Sequence, residues 1–140
     1  MKNSFEVRDP DFERRVRVNF EQQRVMQLIG AKLGTVEPGV VEITVPFRED
    51  LTQQDGYIHA GIVTTILDSA CGYAAYTLMP AGSSVLSVEF KVNLLAPAKG
   101  ATITARAEVK RSGRTLTVCS ADAFADDSLC ATMLATMICR

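Results

Sequence analysis

Two periods alternate along this chain. Phe12, Val16 and Phe20 repeat at i+4, and Met26 and Ile29 continue a rough apolar stripe, which predicts an N-terminal helix. Asp9-Pro10 reads as its start, with Asp9 as cap and Pro10 at the first position. Gly30 and Gly34 then bracket a short connection, and Val36-Glu37-Pro38-Gly39 reads as a turn. Val41, Ile43 and Val45 alternate with Glu42 and Thr44, the pattern of a half-buried strand. A polar loop, 48–56, follows. From about His59 to Met79 the chain is apolar nearly all round, predicting a long buried helix stopped by Pro80-Ala81-Gly82. The remainder alternates with period two in four runs: Val85–Leu95, Thr102–Lys110, Thr115–Ala125 and Leu129–Ile138. Pro97 and Gly100, Ser112-Gly113 and Asp126-Asp127 separate them. The expected architecture is α+β: one antiparallel sheet, its last four strands a meander, curled around the long helix.

At 140 residues this is expected to be one domain, 1–140, with residues 1–30 a helical segment packed on it. A net charge of −1 gives no electrostatic case for nucleic acid. The start, MKNSFEVRDPDFERRVRV, lacks the apolar core of a signal peptide, so a cytoplasmic location is expected. Residues 58–79 have the length of a membrane span, but Asp68 at mid-helix would cost about 2.5–3.5 kcal/mol to insert. No membrane association is expected. Four cysteines without a CxxC pair and a single histidine make a zinc site a poor reading, and no metal is expected. The cysteines read as reduced, buried apolar groups.

Asp68 is the one charged residue between Gly56 and Val88. A carboxylate in an apolar segment is costly unless it is paired or used in chemistry. Gly61, in the first turn of the same helix, lacks a side chain where backbone N–H groups have no intrahelical partner. That amide, at the positive end of the helix dipole, suits an oxyanion hole for an ester or thioester carbonyl; close helix–sheet packing would equally explain the glycine. Seven residues turn a helix by about 700° and advance it about 10.5 Å, so Gly61 and Asp68 share a stripe but cannot both touch one carbonyl. A two-fold axis near Thr64 and Thr65 would bring Asp68 of one chain to Gly61 of another. Gln53 on the preceding loop could hold a carbonyl or a water. Ser87 interrupts its strand and could orient a water or bond to backbone. His59 reads as a general base or as a cap of the helix start. Lys110, Arg111 and Arg114 surround a hairpin tip, solvated or placed for a nucleotide phosphate.

The run Q-x5-H-A-G-x6-D, from Gln53 through His59, Ala60 and Gly61 to Asp68, resembles the active-site segment of hotdog-fold acyl-CoA thioesterases, most of all the PaaI-like branch. Ser87 in SVLSVEFKVNLLAPAKG and the later KRSGRTLTVCSADAF match the same pattern, so the similarity covers about residues 20–140. It implies a hotdog fold: a long central helix wrapped by a curved antiparallel sheet of five to six strands. It implies homodimers with sites between subunits, often paired into tetramers. It also implies hydrolysis of an acyl-CoA, coenzyme A being part of the substrate rather than a cofactor. By this resemblance Asp68 activates water or attacks the thioester, Gly61 N–H polarises its carbonyl, Gln53 and His59 position it, and Ser87 helps place water. The CoA phosphates would meet Lys110, Arg111 and Arg114. Many members carry HGG where Ala60 stands, and some relatives have Asn at position 53 or Glu at 68. Two other readings stand beside this one: a hotdog enoyl-CoA hydratase or dehydratase using Asp55 and His59, and a non-catalytic acyl-CoA-binding module.

Overall fold

The sheet is built around alanine. Ala105, Ala107, Ala121, Ala123, Ala131 and Ala135 line its concave face, all buried, and form cross-strand rows such as Ile43–Ala105–Ala123–Ala131. Short side chains on that face let a helix lie close to the backbone of the sheet. The helix that does so spans Ala60–Tyr76 and buries Val63, Ile66, Leu67, Ala70, Cys71 and Ala74 against it.

The computed structural model describes residues 4–140, so the first three residues of the expected N-terminal segment lie outside the described residues. The elements in order are α1 (Phe12–Gln22), α2 (Arg24–Ile29), β1 (Lys32–Glu37), β2 (Val40–Pro46), a 3₁₀ turn (Glu49–Leu51), α3 (Ala60–Tyr76), β3 (Val85–Leu94), β4 (Thr102–Ser112), β5 (Leu116–Ala125) and β6 (Ser128–Cys139). All pairings are antiparallel, in the order β1-β2-β4-β5-β6-β3. The α+β class, the wrapped central helix and the N-terminal helix stand as expected from sequence. No helix among the described residues is long and apolar enough to cross a membrane.

Three expectations are corrected. Residues 32–37, read as connection and turn, form the edge strand β1, paired to β2 around the Pro38-Gly39 turn. Only β4, β5 and β6 form a meander; β3 pairs with β6, so the stretch after Leu94 leads from the edge of the sheet back to β4 in its middle. Finally, α1 begins at Phe12. Asp9 precedes it by a turn, its Oδ1 accepting from Asp11 N–H at 3.0 Å and its carbonyl from Phe12 N–H at 3.1 Å.

Arg15 ties α1 to the far end of α3. Its guanidinium donates to the carbonyls of Tyr76 (3.0 Å), Met79 (2.8 Å) and Pro80 (2.6 Å), at and just beyond the end of the helix. It also lies 4.4 Å over the Tyr76 ring. Asp9 Oδ2 is 3.2 Å from Nε, an ion pair by distance but without hydrogen-bond alignment.

Candidate active site

The start of α3 is fixed by its own cap. His59 is the N-cap residue (φ −58°, ψ 136°), and its Nδ1 accepts from Gly61 N–H at 2.8 Å. Of the two sequence readings for His59, this contact is the capping one. It also accounts for the glycine, because a Cβ at Gly61 would lie 2.9 Å from His59 Nδ1. In the free chain, therefore, the Gly61 amide is occupied by the imidazole.

The loop before the cap folds on Gln53. Gln53 Oε1 accepts from Asp55 N–H (2.6 Å) and Tyr57 N–H (3.3 Å), while Gln53 N–H donates to the Tyr57 carbonyl (2.8 Å). Gly56 turns this loop at φ 85°, where other residues are strained. Gln53, Tyr57, Ala60 and Val63 then border a pocket of about 460 Å³, closed on its other side by Leu94–Ala98 and Cys130.

Two helical turns on, Asp68 is half-buried, and its Oδ1 accepts from Ser87 Oγ on β3 at 2.6 Å. That is the short distance of a hydroxyl bonded to a charged acceptor. No ion pair among the described residues involves Asp68. The carboxylate borders a cleft of about 120 Å³ with Ser69, Gly72 and Tyr73 of α3, Val85 and Ser87 of β3, and Met137. Asn19 and Gln23 from the N-terminal segment complete it. Sequence reasoning missed these two, because they sit among exposed polar residues of α1 and only the docking of that helix turns them inward. Burial raises the Cys71 thiol well above its ordinary range, with nearby Cys119 and Asp68 adding to the effect, so it is a packed group rather than a nucleophile.

The structure therefore brings Asp68 to Ser87, and His59 to Gly61 close to Gln53. Within one chain it leaves these two groups apart, about 10.5 Å along the helix. The basic hairpin lies at the Asp68 end of the sheet: the row Leu116–Ile138–Leu86 connects its base to the strand of Ser87. Lys110 is partly engaged by Glu108 (2.9 Å); Arg111 and Arg114 are exposed. Gly113 is required at the tip, since a Cβ there would stand 2.5 Å from the Leu116 carbonyl. Leu86 lies on the opposite face of β3 from Ser87 and is exposed. Among the described residues no group of three or more His, Cys, Asp or Glu is placed to hold a metal.

A central helix wrapped by a six-stranded antiparallel sheet, with an acidic residue on that helix and a glycine amide at its start, is the frame of a hotdog-fold thioester hydrolase. The family model of the thioesterase superfamily matches residues 55–132, more than half the chain, and the chain belongs to that superfamily. A crystal structure of a thioesterase family protein from Silicibacter pomeroyi is 51% identical, with a TM-score of 0.89, covering 91% of this chain and 97% of that one. A Saccharolobus solfataricus protein provisionally named an esterase is 32% identical over 119 residues, 84% of this chain and 79% of its own. The PaaI protein of the Escherichia coli phenylacetic acid degradation operon shares the fold at a TM-score of 0.84 over 95% of both chains, at 16% identity. The expected hotdog thioesterase family and enzyme class are thus met, and the likeness to PaaI is one of fold.

Proposed function

We propose that this protein hydrolyses acyl-CoA to a free acid and coenzyme A at two equivalent sites between the subunits of a dimer. One observation carries the reading: Asp68 is held by Ser87 at the mouth of a polar cleft, beside a sheet edge that has no partner. Strand β3 is ten residues long, contains no proline, and leaves Leu86, Val88, Phe90 and Leu94 between 42% and 56% exposed. An apolar edge of that length is a template for another strand. Pairing β3 with its own copy about Phe90 and Lys91 would set Ser87 opposite the partner's Leu94. The same two-fold, passing near Thr64 and Thr65, would set Asp68 against the partner's Gly61. The small polar cleft of one chain and the larger pocket of the other then become the two halves of one site.

In this reading the thioester carbonyl displaces His59 from the Gly61 amide, which then stabilises the developing oxyanion. Ser87 holds one oxygen of Asp68, leaving the other to take a proton from water. That water attacks the carbonyl carbon, the C–S bond breaks, and the thiolate leaves to be protonated as coenzyme A. Gln53 orients the thioester from the partner's loop. Arg111 and Arg114, with Lys110, lie at the Asp68 end of the sheet and suit the phosphates of the leaving group. The hydratase alternative needs Asp55 and His59 to act as a pair. No hydrogen bond joins them: His59 Nδ1 accepts from Gly61 N–H, while Asp55 donates its N–H to Gln53 Oε1 and its Oδ2 accepts from Gln54 Nε2.

The test is Asp68→Asn. Thiol release from acyl-CoA should fall at least about a hundredfold, the low end for general-base catalysis, with dimeric sedimentation kept. Retained turnover ends the assignment. Single turnover in ¹⁸O-water tests for a nucleophile: the base route labels the first acid released, whereas an unlabelled first acid with ¹⁸O in Asp68 shows direct attack and opening of the mixed anhydride at the Asp68 carbonyl.

A further inference from the structure

Gly72 has no packing reason to be glycine. It lies inside α3, where glycine weakens a helix relative to alanine. A Cβ built on it would meet nothing within 4 Å, so no neighbouring atom of the chain demands the missing side chain. What it borders is the cleft of Asp68, one helical turn further along the same face. A methyl group there would project into that space.

The opposite wall is the break between α1 and α2. The helix is interrupted at Gln23 (φ −81°, ψ 98°) with neither proline nor glycine to force it. Instead, Gln23 Oε1 accepts from Ser69 Oγ at 3.3 Å, and one turn earlier Asn19 Oδ1 accepts from Tyr73 OH at 3.0 Å. Burial pushes the Tyr73 hydroxyl up to about 12, so it remains a donor at ordinary pH. Two side-chain bonds thus hold the N-terminal segment across the end of the cleft. The space of about 120 Å³ is far more than the roughly 10–15 Å³ that one water requires, so it has room for a group of several atoms.

We propose that Gly72, Asn19 and Gln23 set how far an acyl group extends past Asp68: the glycine opens the depth and the two amides end it. This rests on the acyl-CoA reading above. These are specificity-determining residues, distinct from the groups that act on the reacting carbonyl.

The experiment is a profile of kcat/KM across saturated straight-chain acyl-CoAs from acetyl to decanoyl, on the full chain, with Gly72→Ala and Gln23→Ala. Gly72→Ala should raise Tm by a few degrees. It should lower the ratio of kcat/KM for the longest accepted chain to that for acetyl-CoA at least tenfold. Gln23→Ala should shift the ratio the other way, with at least a tenfold gain on the first chain length the wild type rejects. Variants that scale every chain by a common factor would overturn the proposal. So would a lower Tm or a dissociated dimer for Gly72→Ala, since the glycine would then serve packing against the partner. A wild type that releases thiol from no acyl-CoA defeats the hydrolase reading instead. Dissociation constants for the same series, by calorimetry, would then decide the depth prediction.

Discussion

Replacing Arg15 with Met keeps the aliphatic stem and removes the charge, and the structure fixes what that costs. The side chain of Arg15 is 16% exposed and that of Asp9 10%. The change deletes three hydrogen bonds to the carbonyls of Tyr76, Met79 and Pro80 and leaves the Asp9 carboxylate buried without its cation. Breaking one partner out of a buried pair costs about 3–5 kcal/mol. Loss of a cation at a helix C-terminus falls within that sum, since the same group supplies both effects. We expect about 3 kcal/mol. With an unfolding entropy of about 2.1 cal/mol/K per residue, a chain of this size should lose roughly 10 °C in Tm. Urea and thermal unfolding measure this directly. Asp9→Asn combined with Arg15→Met should recover at least about 1 kcal/mol of the loss, because the stranded charge is gone. A single-variant loss below about 1 kcal/mol, or strict additivity in the double variant, would refute the reasoning.

Thr77 is fully buried; its hydroxyl donates to the Ala74 carbonyl (2.7 Å) and accepts from Gly39 N–H (2.8 Å). Thr77→Val should therefore cost about 1–3 kcal/mol by orphaning the Gly39 amide, and a Cm within error of wild type in urea would contradict this. Alkali should also destabilise the fold. Burial pushes Tyr73 from 10.0 and Cys119 from 9.0 up to about 12 each, so the native state keeps protons that the unfolded chain releases. That stabilisation is complete below about pH 9 and is lost as pH rises toward 12. Urea midpoints should fall between pH 8 and pH 10.5, and a constant or rising midpoint would exclude the effect.

The parts of the fold legible in sequence were those with one dry face. β2, β4, β5 and β6 alternate because one side of each meets α3. β1 gives no such signal: it is an edge strand interrupted by Gly34, with Val36 its one buried residue. Strand order was misread for a different reason. Sequence neighbours usually pair, and nothing local in the stretch after Leu94 shows that the chain crosses from β3 to β4 without pairing them. The start of α1 was set two residues early: one Asp9 oxygen does accept from Asp11 N–H, as a cap would, while the other pairs with Arg15, and the regular helix begins at Phe12.

The candidate site divides along the same line. Asp68 and Ser87 were visible because each interrupts an apolar run, and polarity in such a run needs a partner; here each is the partner of the other. Asn19 and Gln23 were invisible because polarity on an N-terminal helix needs no explanation until that helix is docked. Gly72 was invisible because a helix tolerates one glycine without comment, and only the empty space around it gives the residue a meaning. The separation of Gly61 from Asp68, by contrast, follows from helix geometry alone and is unchanged by the fold. A single copy offers an amide, a carboxylate and an unpaired apolar strand, each short of the group it fits. Under the proposed two-fold pairing one symmetry operation would answer all three, so abolishing dimerisation should remove both sites together rather than weaken each one.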